Sequence, residues 1–185
     1  REGEKLTYVG RYHRNRGPNT AYGEVVLRTT KTTLAGTPVW NVYGNAKVFS
    51  SFKWFYDLDY TYQVWLDAST LRPVKYSFRL REGKYKANCD YTYNWNTKKV
   101  TTVFHNLRKP EPVTTVMSVS DKKTDPRALF YNLRSEDLSK YVQGKGNTLN
   151  IVLDDTTRAV TFTYLGKEQR NIKKLGKFDT LKFSC

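Results

Sequence analysis

Apolar and polar residues alternate along most of the chain, in segments separated by Gly, Pro and Asn. Such a period of two is typical of β-strands with one buried face. The pattern therefore predicts an all-β fold: a strongly curved antiparallel sheet, or an open barrel or half-barrel. The predicted strands are Lys5–His13, Tyr22–Thr30, Pro38–Val48, Phe52–Leu66, Leu71–Arg81, Lys84–Trp95, Lys99–Asn106, Val113–Val119, Leu149–Leu153, Ala159–Leu165, Glu168–Leu175 and Phe178–Cys185.

One segment departs from this alternation and predicts one or two short helices over about residues 126–143. Asp125-Pro126 fits an N-cap followed by proline at the first helical position. Leu129, Phe130 and Leu133 then follow a helical spacing. No repeat, low-complexity tract or interdomain linker interrupts the chain, so residues 1–185 are expected to form a single β-rich domain.

The 32 Lys and Arg residues outnumber the 17 Asp and Glu residues, which gives a formal net charge of +15. A field of this sign favours anionic partners such as lipid, lipopolysaccharide or acidic glycan. A charged surface that serves only solubility is the alternative interpretation. Aromatic residues interleaved with cations can also stack on nucleic acid, but the chain has no recognisable RNA-binding signature, so nucleic acid is not the expected partner.

The predicted strands Leu71–Arg81 and Lys84–Trp95 form the most informative hairpin, because a two-residue loop, Glu82-Gly83, would fix their register. That register places Arg79 opposite Lys86. It also places Arg81 opposite Lys84 and Lys75 opposite Asp90. Like charges directly across a ladder are destabilising, so this side of the hairpin is either a solvated face or a docking surface for anionic groups. The candidate anionic-ligand surface comprises Lys75, Arg79, Arg81, Lys84 and Lys86.

Alternation along the predicted strand Phe52–Leu66 puts most of its aromatic side chains on one side, where core packing explains them. Phe55 and Trp65 fall on the other side, together with charged and polar residues. These two residues are therefore the candidate aromatic ligand face.

The chain offers no catalytic constellation, and we expect no enzyme activity, cofactor or metal site. His13 and His105 each stand alone on a predicted strand, without a nearby ligand at metal-binding spacing. A glycan hydrolase would need two convergent carboxylates, but those of Asp59 and Asp67 are better explained as strand-end and turn residues that bind local amides. The carboxylates considered for such a pair are Asp57, Asp59, Asp67 and Asp154.

The two cysteines, Cys89 and Cys185, lie far apart, and each falls on the apolar side of its strand. Small buried core residues are the favoured interpretation, and a Cys89–Cys185 disulfide is the alternative. No apolar run approaches the roughly 18 residues of a spanning helix, so no transmembrane segment is predicted.

Several short segments together resemble the domain of unknown function 3108 (DUF3108) family, whose members are envelope proteins of Gram-negative bacteria. The resemblance covers nearly the whole chain. It rests on the order and spacing of the motifs Gly3-Glu4-Lys5-Leu6-Thr7-Tyr8, Tyr22-Gly23-Glu24, Asp59 through Asp67, Thr70-Leu71-Arg72-Pro73, Glu82-Gly83-Lys84-Tyr85, Asp125-Pro126 through Leu133-Arg134, Gly166-Lys167-Glu168 and Gly176-Lys177-Phe178.

The resemblance implies an exported protein of the periplasm or outer membrane whose signal sequence has been removed. It also implies a curved sheet akin to half-barrels that carry lipoproteins or lipids, and a chain truncated at its C-terminus relative to the family. We therefore expect a non-catalytic binding or carrier domain for an amphipathic or anionic envelope component, with a concave apolar face and a basic rim. A structural or protein-interaction domain is the alternative, and a glycan hydrolase comes third.

Overall fold

The computed structural model describes residues 1–12, 20–119, 123–124, 126–135, 137–153, 156–172 and 175–184. The chain divides into two compact units, Arg1–Val119 and Ser120–Cys185. Compactness does not test whether the units fold together, so a single domain over residues 1–185 stays a prediction. Among the described residues, no helix has the length and apolar character needed to cross a membrane.

The first unit is an eight-stranded antiparallel sheet in which every strand pairs with its neighbours in sequence. Strands β1 and β8 lie at its two edges, so the sheet is open and does not close into a barrel. The sheet is also curved, which confirms the predicted fold class. The strands are β1 (Lys5–Tyr12), β2 (Thr20–Leu34), β3 (Thr37–Val48), β4 (Leu58–Asp67), β5 (Pro73–Glu82), β6 (Tyr85–Asn94), β7 (Lys99–Asn106) and β8 (Val113–Ser118).

The second unit contains a sheet in the order β12-β11-β10-β9, in which only the two-residue strand β9 runs parallel to its neighbour. The predicted helical segment is confirmed as an α-helix that begins at Pro126 and a 3-10 turn, whereas Asp125 lies outside the described residues. The elements are β9 (Lys123–Thr124), α1 (Pro126–Ser135), the 3-10 turn Leu138–Lys140, β10 (Gly146–Leu153), β11 (Thr156–Ile172) and β12 (Gly176–Ser184).

Strand β11 corrects the prediction of two separate strands, Ala159–Leu165 and Glu168–Leu175. The glycine between them does not end the strand. The pairing shifts between Tyr164 and Gly166, and Gly166 takes a φ of 113° that side chains rarely tolerate. A β-bulge therefore absorbs the glycine, and the strand continues beyond it.

The beginning of the predicted strand Phe52–Leu66 is wrong, because the chain forms a 3-10 turn there and β4 starts only at Leu58. The Phe52 carbonyl accepts hydrogen bonds from the backbone N–H groups of Phe55 and Tyr56, both at 3.0 Å. These bonds close a turn of helical type. Period-two alternation continues through the turn in the sequence, but the backbone does not follow it.

The core of the eight-stranded sheet follows one row of directly opposed residues across six strands. Every member of the row is buried, and Val42 and Val64 have no exposed surface. Tyr76 retains a polar partner in the core, because its hydroxyl lies 2.7 Å from the Tyr60 hydroxyl. Each fully buried large side chain stabilises the fold by roughly 1.5–3 kcal/mol. The row consists of Thr29, Val42, Val64, Tyr76, Tyr91 and Thr102.

Cys89 also lies in this core, with 3% of its surface exposed, as its place on the apolar side predicted. Cys185 lies outside the described residues. The alternative of a Cys89–Cys185 disulfide therefore stays a prediction.

Candidate functional site

The polar side of the eight-stranded sheet carries a row of charges that runs across β2 to β6. The Lys47 ammonium lies 3.3 Å from the Glu24 carboxylate, and the Arg81 guanidinium lies 3.8 Å from that of Asp59. The sign of the charge alternates along the row, except at its last pair, where Arg81 is directly opposite Lys86. The directly opposed members, in order, are Glu24, Lys47, Asp59, Arg81 and Lys86.

The register of the basic hairpin differs by two residues from the prediction. Glu82 pairs with Tyr85, so the loop is Gly83-Lys84, with a φ of 53° at Gly83. The predicted loop Glu82-Gly83 was therefore wrong, because the alternative loop Gly83-Lys84 contains the same glycine. A shift of two leaves every side chain on its predicted side, because side chains alternate with a period of two.

The shift changes the partner of each predicted cation. Arg81 faces Lys86 rather than Lys84, whereas Arg79 faces Asn88 and Lys75 faces Thr92. The predictions of a like-charge pair Arg79–Lys86 and of an opposite-charge pair Lys75–Asp90 were therefore wrong. One like-charge pair remains on this side of the hairpin, between Arg81 and Lys86.

The three cations of β5 are already engaged. Arg79 forms a two-pronged contact through Nη2 with the carboxylate oxygens of Asp90, at 3.1 and 3.2 Å. Arg81 pairs with Asp59, and the Lys75 ammonium lies 5.5 Å from the centre of the Trp65 ring, over its face. A cation that already has such a partner has less positive charge available to an anionic ligand.

Lys84 and Lys86 stand apart from the other three cations. Neither forms an ion pair with any side chain in the described ranges, and both are exposed. The role of all five cations in anion binding stays a prediction, but these two have the greatest capacity for it.

The connection between β3 and β4 contains a segment that we call the aromatic loop (residues 50–57), and it carries the two most exposed large apolar side chains among the described residues of the first unit. Trp54 is 84% exposed and Phe55 is 79% exposed. Their rings pack edge to face with centroids 5.9 Å apart, and the Trp54 indole N–H donates to the Ser51 carbonyl at 3.1 Å. The ring packing and this hydrogen bond thus fix the two exposed rings relative to each other and to the turn.

Two hydrogen bonds join the aromatic loop to the turn of the basic hairpin. The Tyr56 hydroxyl donates to the Glu82 carboxylate at 2.7 Å, and the Gly83 N–H donates to the Asp57 carbonyl at 2.8 Å. The bond to Glu82 raises the pKa of Tyr56, because ionising the phenol would remove the donor and place two negative charges together. The aromatic loop and the Gly83-Lys84 turn therefore form one structural unit.

Phe55 does not share a strand with Trp65, since Phe55 belongs to the aromatic loop and Trp65 lies within β4. Trp65 lies on the polar side, where it is directly opposite Lys75. The periodicity that placed both rings on one face was wrong for Phe55. A ligand-binding role for either ring stays a prediction.

In a meander of antiparallel strands, every second connection lies at the same end of the sheet. The aromatic loop, the Gly83-Lys84 turn and the β7–β8 connection (residues 107–112) therefore share one end of the first unit, which we call the loop edge. The third connection adds Leu107, which is 44% exposed. The exposed cations of the loop edge are Lys53, Lys84, Arg108 and Lys109.

A depression of about 570 Å³ lies on the polar side of β1 to β4. We call it the polar depression. At one end the carboxylates of Glu24 and Asp59 are bound to neighbouring side chains. At the other end Lys5 lies directly opposite Arg28, so two cations stand side by side. The lining consists of Lys5, Thr7, Glu24, Val26, Arg28, Tyr43, Asn45, Lys47, Asp59 and Thr61.

The sequence did not indicate this pair of cations. Pairing β1 with β2 depends on how the chain turns between them, and the predicted strands gave no register across that connection. A local signal was nonetheless present, because Lys5 and Arg28 each occupy a polar position of an alternating strand.

The carboxylates considered for a hydrolase have local partners. Asp67 accepts hydrogen bonds from the backbone N–H groups of Ser69 and Thr70 and from both hydroxyls, at 2.6–3.0 Å, which lowers its pKa to about 2. Asp59 accepts from Asn45 at 3.1 Å. Their predicted roles as turn and strand-end residues are confirmed. Asp57 precedes β4, so its predicted place beside Asp59 on one strand was wrong.

Of the two histidines, His105 lies in the described part of the chain. His13 and the fourth carboxylate, Asp154, lie outside the described residues. His105 is close to the Lys109 carbonyl, at 3.0 Å from Nε2. No group of three or more His, Cys, Asp and Glu side chains within the described part of the chain could hold a metal ion.

The fold and the surfaces above define an open, antiparallel β-sheet protein with one polar, charged side and an exposed aromatic edge. The family model described as "Protein of unknown function (DUF3108)" matches residues 7–185, and the chain belongs to this family. No curated protein and no solved structure matches the chain.

Proposed function

We propose that the first unit is a non-catalytic binding domain that docks its loop edge on an anionic, amphipathic surface of the cell envelope, such as phospholipid headgroups or lipopolysaccharide. The observation that carries this proposal is the exposure of Trp54 and Phe55, 84% and 79%, at a loop edge that also bears four exposed cations. Export to the periplasm or outer membrane is the location that the proposal assumes.

The chemistry of the loop edge matches a lipid interface. Aromatic rings settle at headgroup level, where their apolar bodies leave water, and burying each ring contributes roughly 1.5–3 kcal/mol. Each Lys or Arg near an anionic surface adds about 1 kcal/mol. Lys53 contributes less than the other three cations, because its ammonium already lies 4.0 Å from the Asp57 carboxylate. The two rings together with Lys84, Arg108 and Lys109 thus favour a reversible association, since part of this free energy offsets the lost freedom of the bound protein.

The anchoring of the aromatic loop supports the same function. A ring on a mobile loop loses conformational entropy when it binds, whereas Trp54 and Phe55 stand on a turn already held by the Tyr56–Glu82 and Gly83–Asp57 hydrogen bonds. Preorganisation of this kind lowers the cost of association.

Vesicle binding tests the proposal. The protein should sediment with vesicles of phosphatidylglycerol and much less with vesicles of phosphatidylcholine. The double variant Trp54→Ala/Phe55→Ala should bind phosphatidylglycerol vesicles at least about tenfold more weakly, because it loses the apolar contribution of both rings.

Tyr8→Ala is the matched control, because Tyr8 is an aromatic side chain of edge strand β1 that is 48% exposed and lies outside the loop edge. Equal loss in the control and the double variant, or equal binding to both lipids, would contradict the proposal. Such a result would favour the protein-interaction domain instead.

A further inference from the structure

We propose that the polar depression binds a phosphomonoester group between Lys5 and Arg28. The two residues are directly opposite each other on β1 and β2, a geometry that places their Cβ atoms about 4.5–5.5 Å apart. Both are exposed, and neither forms an ion pair with a side chain of the described residues. Like charges in this arrangement repel each other, so an anion between them relieves the repulsion.

The remaining charges of the polar depression do not compete for these cations. The Glu24 carboxylate forms an ion pair with the Lys47 ammonium at 3.3 Å. Asp59 accepts a hydrogen bond from Asn45 and pairs with Arg81, which lies outside the lining. The end of the depression at Lys5 and Arg28 therefore retains two positive charges.

A phosphomonoester matches this end in charge and in geometry. Near neutral pH it carries a charge between about −1.5 and −2 and offers three acceptor oxygens. A guanidinium binds two phosphate oxygens at once, and an ammonium approaches a third. Tyr43 on β3 is directly opposite Arg28, so Lys5, Arg28 and Tyr43 form one row across three strands. The Tyr43 phenol can donate a further hydrogen bond to the phosphate.

The size of the polar depression indicates what the phosphate is attached to. Its volume of about 570 Å³ lies within the range of roughly 300–1,000 Å³ that small-molecule sites occupy, and it exceeds the need of a single phosphate. The further lining is rich in hydroxyl and amide groups, from Thr7, Asn45 and Thr61. These groups suit a polyol or sugar, and so the ligand class is a sugar or polyol phosphate, either soluble or as a lipid headgroup.

This site is independent of the loop edge. It lies on β1 to β4, on the side of the sheet that carries the charge row, and it shares no residue with the aromatic loop. Failure of vesicle binding through Trp54 and Phe55 would leave it standing.

Isothermal titration with inorganic phosphate, glucose 6-phosphate and glucose tests the site. Glucose 6-phosphate should bind and glucose should not, with inorganic phosphate weaker than the sugar phosphate. Arg28→Gln should weaken binding at least about tenfold, because the two-pronged contact is lost. Arg28→Lys should fall between the two proteins, since it keeps the charge and loses the fork.

Lys99→Gln is the matched control, because it removes one exposed cation of β7, outside both the polar depression and the loop edge, and changes the net charge equally. Equal weakening by Lys99→Gln and Arg28→Gln, or no binding of any phosphate, would overturn the proposal. Thermal unfolding of Arg28→Gln should show a midpoint no lower than that of the unmodified protein, which separates loss of binding from loss of fold.

Vesicles that contain phosphatidic acid distinguish the two sources of phosphate. Arg28-dependent binding of glucose 6-phosphate assigns a soluble ligand, and Arg28-dependent binding of these vesicles assigns a lipid headgroup. If the vesicles bind through Trp54 and Phe55 without any effect of Arg28→Gln, and the sugar phosphate does not bind, the site does not exist.

Discussion

The Tyr56 hydroxyl donates a hydrogen bond of 2.7 Å to the Glu82 carboxylate, and this contact ties the aromatic loop to the turn of the neighbouring hairpin. The two residues are 26 positions apart in the chain. Because Trp54 and Phe55 precede Tyr56 directly, the position of the exposed rings depends on a contact that neither ring makes.

We predict that Glu82→Gln lowers the pKa of Tyr56 towards its ordinary value, because the carboxylate is the main cause of the increase. Ultraviolet titration of the tyrosinate, as a difference between the variant and the unmodified protein, measures this change. Lys84→Gln, in the adjacent turn, is the control and should leave the titration of Tyr56 where it is. An unchanged Tyr56 titration in Glu82→Gln would contradict the contact.

Tyr56→Phe removes the same hydrogen bond and should loosen the aromatic loop. The Gly83 N–H, which donates to the Asp57 carbonyl, should then exchange with solvent faster, and binding to anionic vesicles should weaken severalfold. Amide hydrogen exchange followed by nuclear magnetic resonance gives the first readout. The Gly166 amide in the second unit should be unaffected.

The like-charge pair Arg81 and Lys86 makes a prediction about stability. Lys86→Glu replaces a repulsive cross-strand pair with an attractive one, and we expect the free energy of unfolding to rise by about 0.5 kcal/mol. Urea denaturation of the variant and of the unmodified protein measures this difference in the free energy of unfolding. Lys84→Glu changes the net charge equally but lies in the turn without a cross-strand partner, so its effect should be smaller; a larger effect there would contradict the observed register.

Gly44 lies beneath the ring of Tyr62, its directly opposed partner on β4. A Cβ atom at Gly44 would stand 2.4 Å from two ring atoms, which is too close for any side chain. Gly44→Ala should therefore destabilise the protein by about 1–3 kcal/mol, measured by urea denaturation. In a Tyr62→Ala background the same substitution should cost clearly less, and equal costs in both backgrounds would show that the ring is not the obstacle.

The turn cap at Asp67 predicts a dependence of stability on pH. The hydrogen bonds of Ser69 and Thr70 favour the carboxylate and hold its pKa at about 2, below the ordinary value of 3.8. Since the folded protein binds this proton less readily than the unfolded chain, the stabilisation is complete above about pH 4 and is lost as the pH falls towards 2. Asp67→Asn should reduce the free energy of unfolding by about 1 kcal/mol at neutral pH and by much less near pH 2. An equal loss at both pH values would contradict a charge-dependent cap.

The sequence alone was sufficient for the fold class, for most of the strands of the first sheet and for the side on which most of their residues lie. Alternation with a period of two is a local property, and Val42, Val64, Tyr76 and Tyr91 could only form a core by sharing a side. The same reasoning explains why Lys75, Arg79 and Arg81 fell on the predicted polar side even though the hairpin register was off by two. A shift by an even number of residues preserves the side and exchanges only the partners.

The tertiary structure decided what period and composition leave open. Which carboxylate meets Arg79 or Arg81 depends on the loop of the hairpin and on the register of β4, and both follow from contacts between distant segments. The position of Phe55 depends on hydrogen bonds to Phe52 that stop the strand although the alternation continues. The pairing of Lys5 with Arg28 follows from the register of β1 and β2, because two residues 23 positions apart come together only when their strands pair. Alternation thus determined the two sides of the sheet, and only the pairing of strands determined which charges and rings stand together on them.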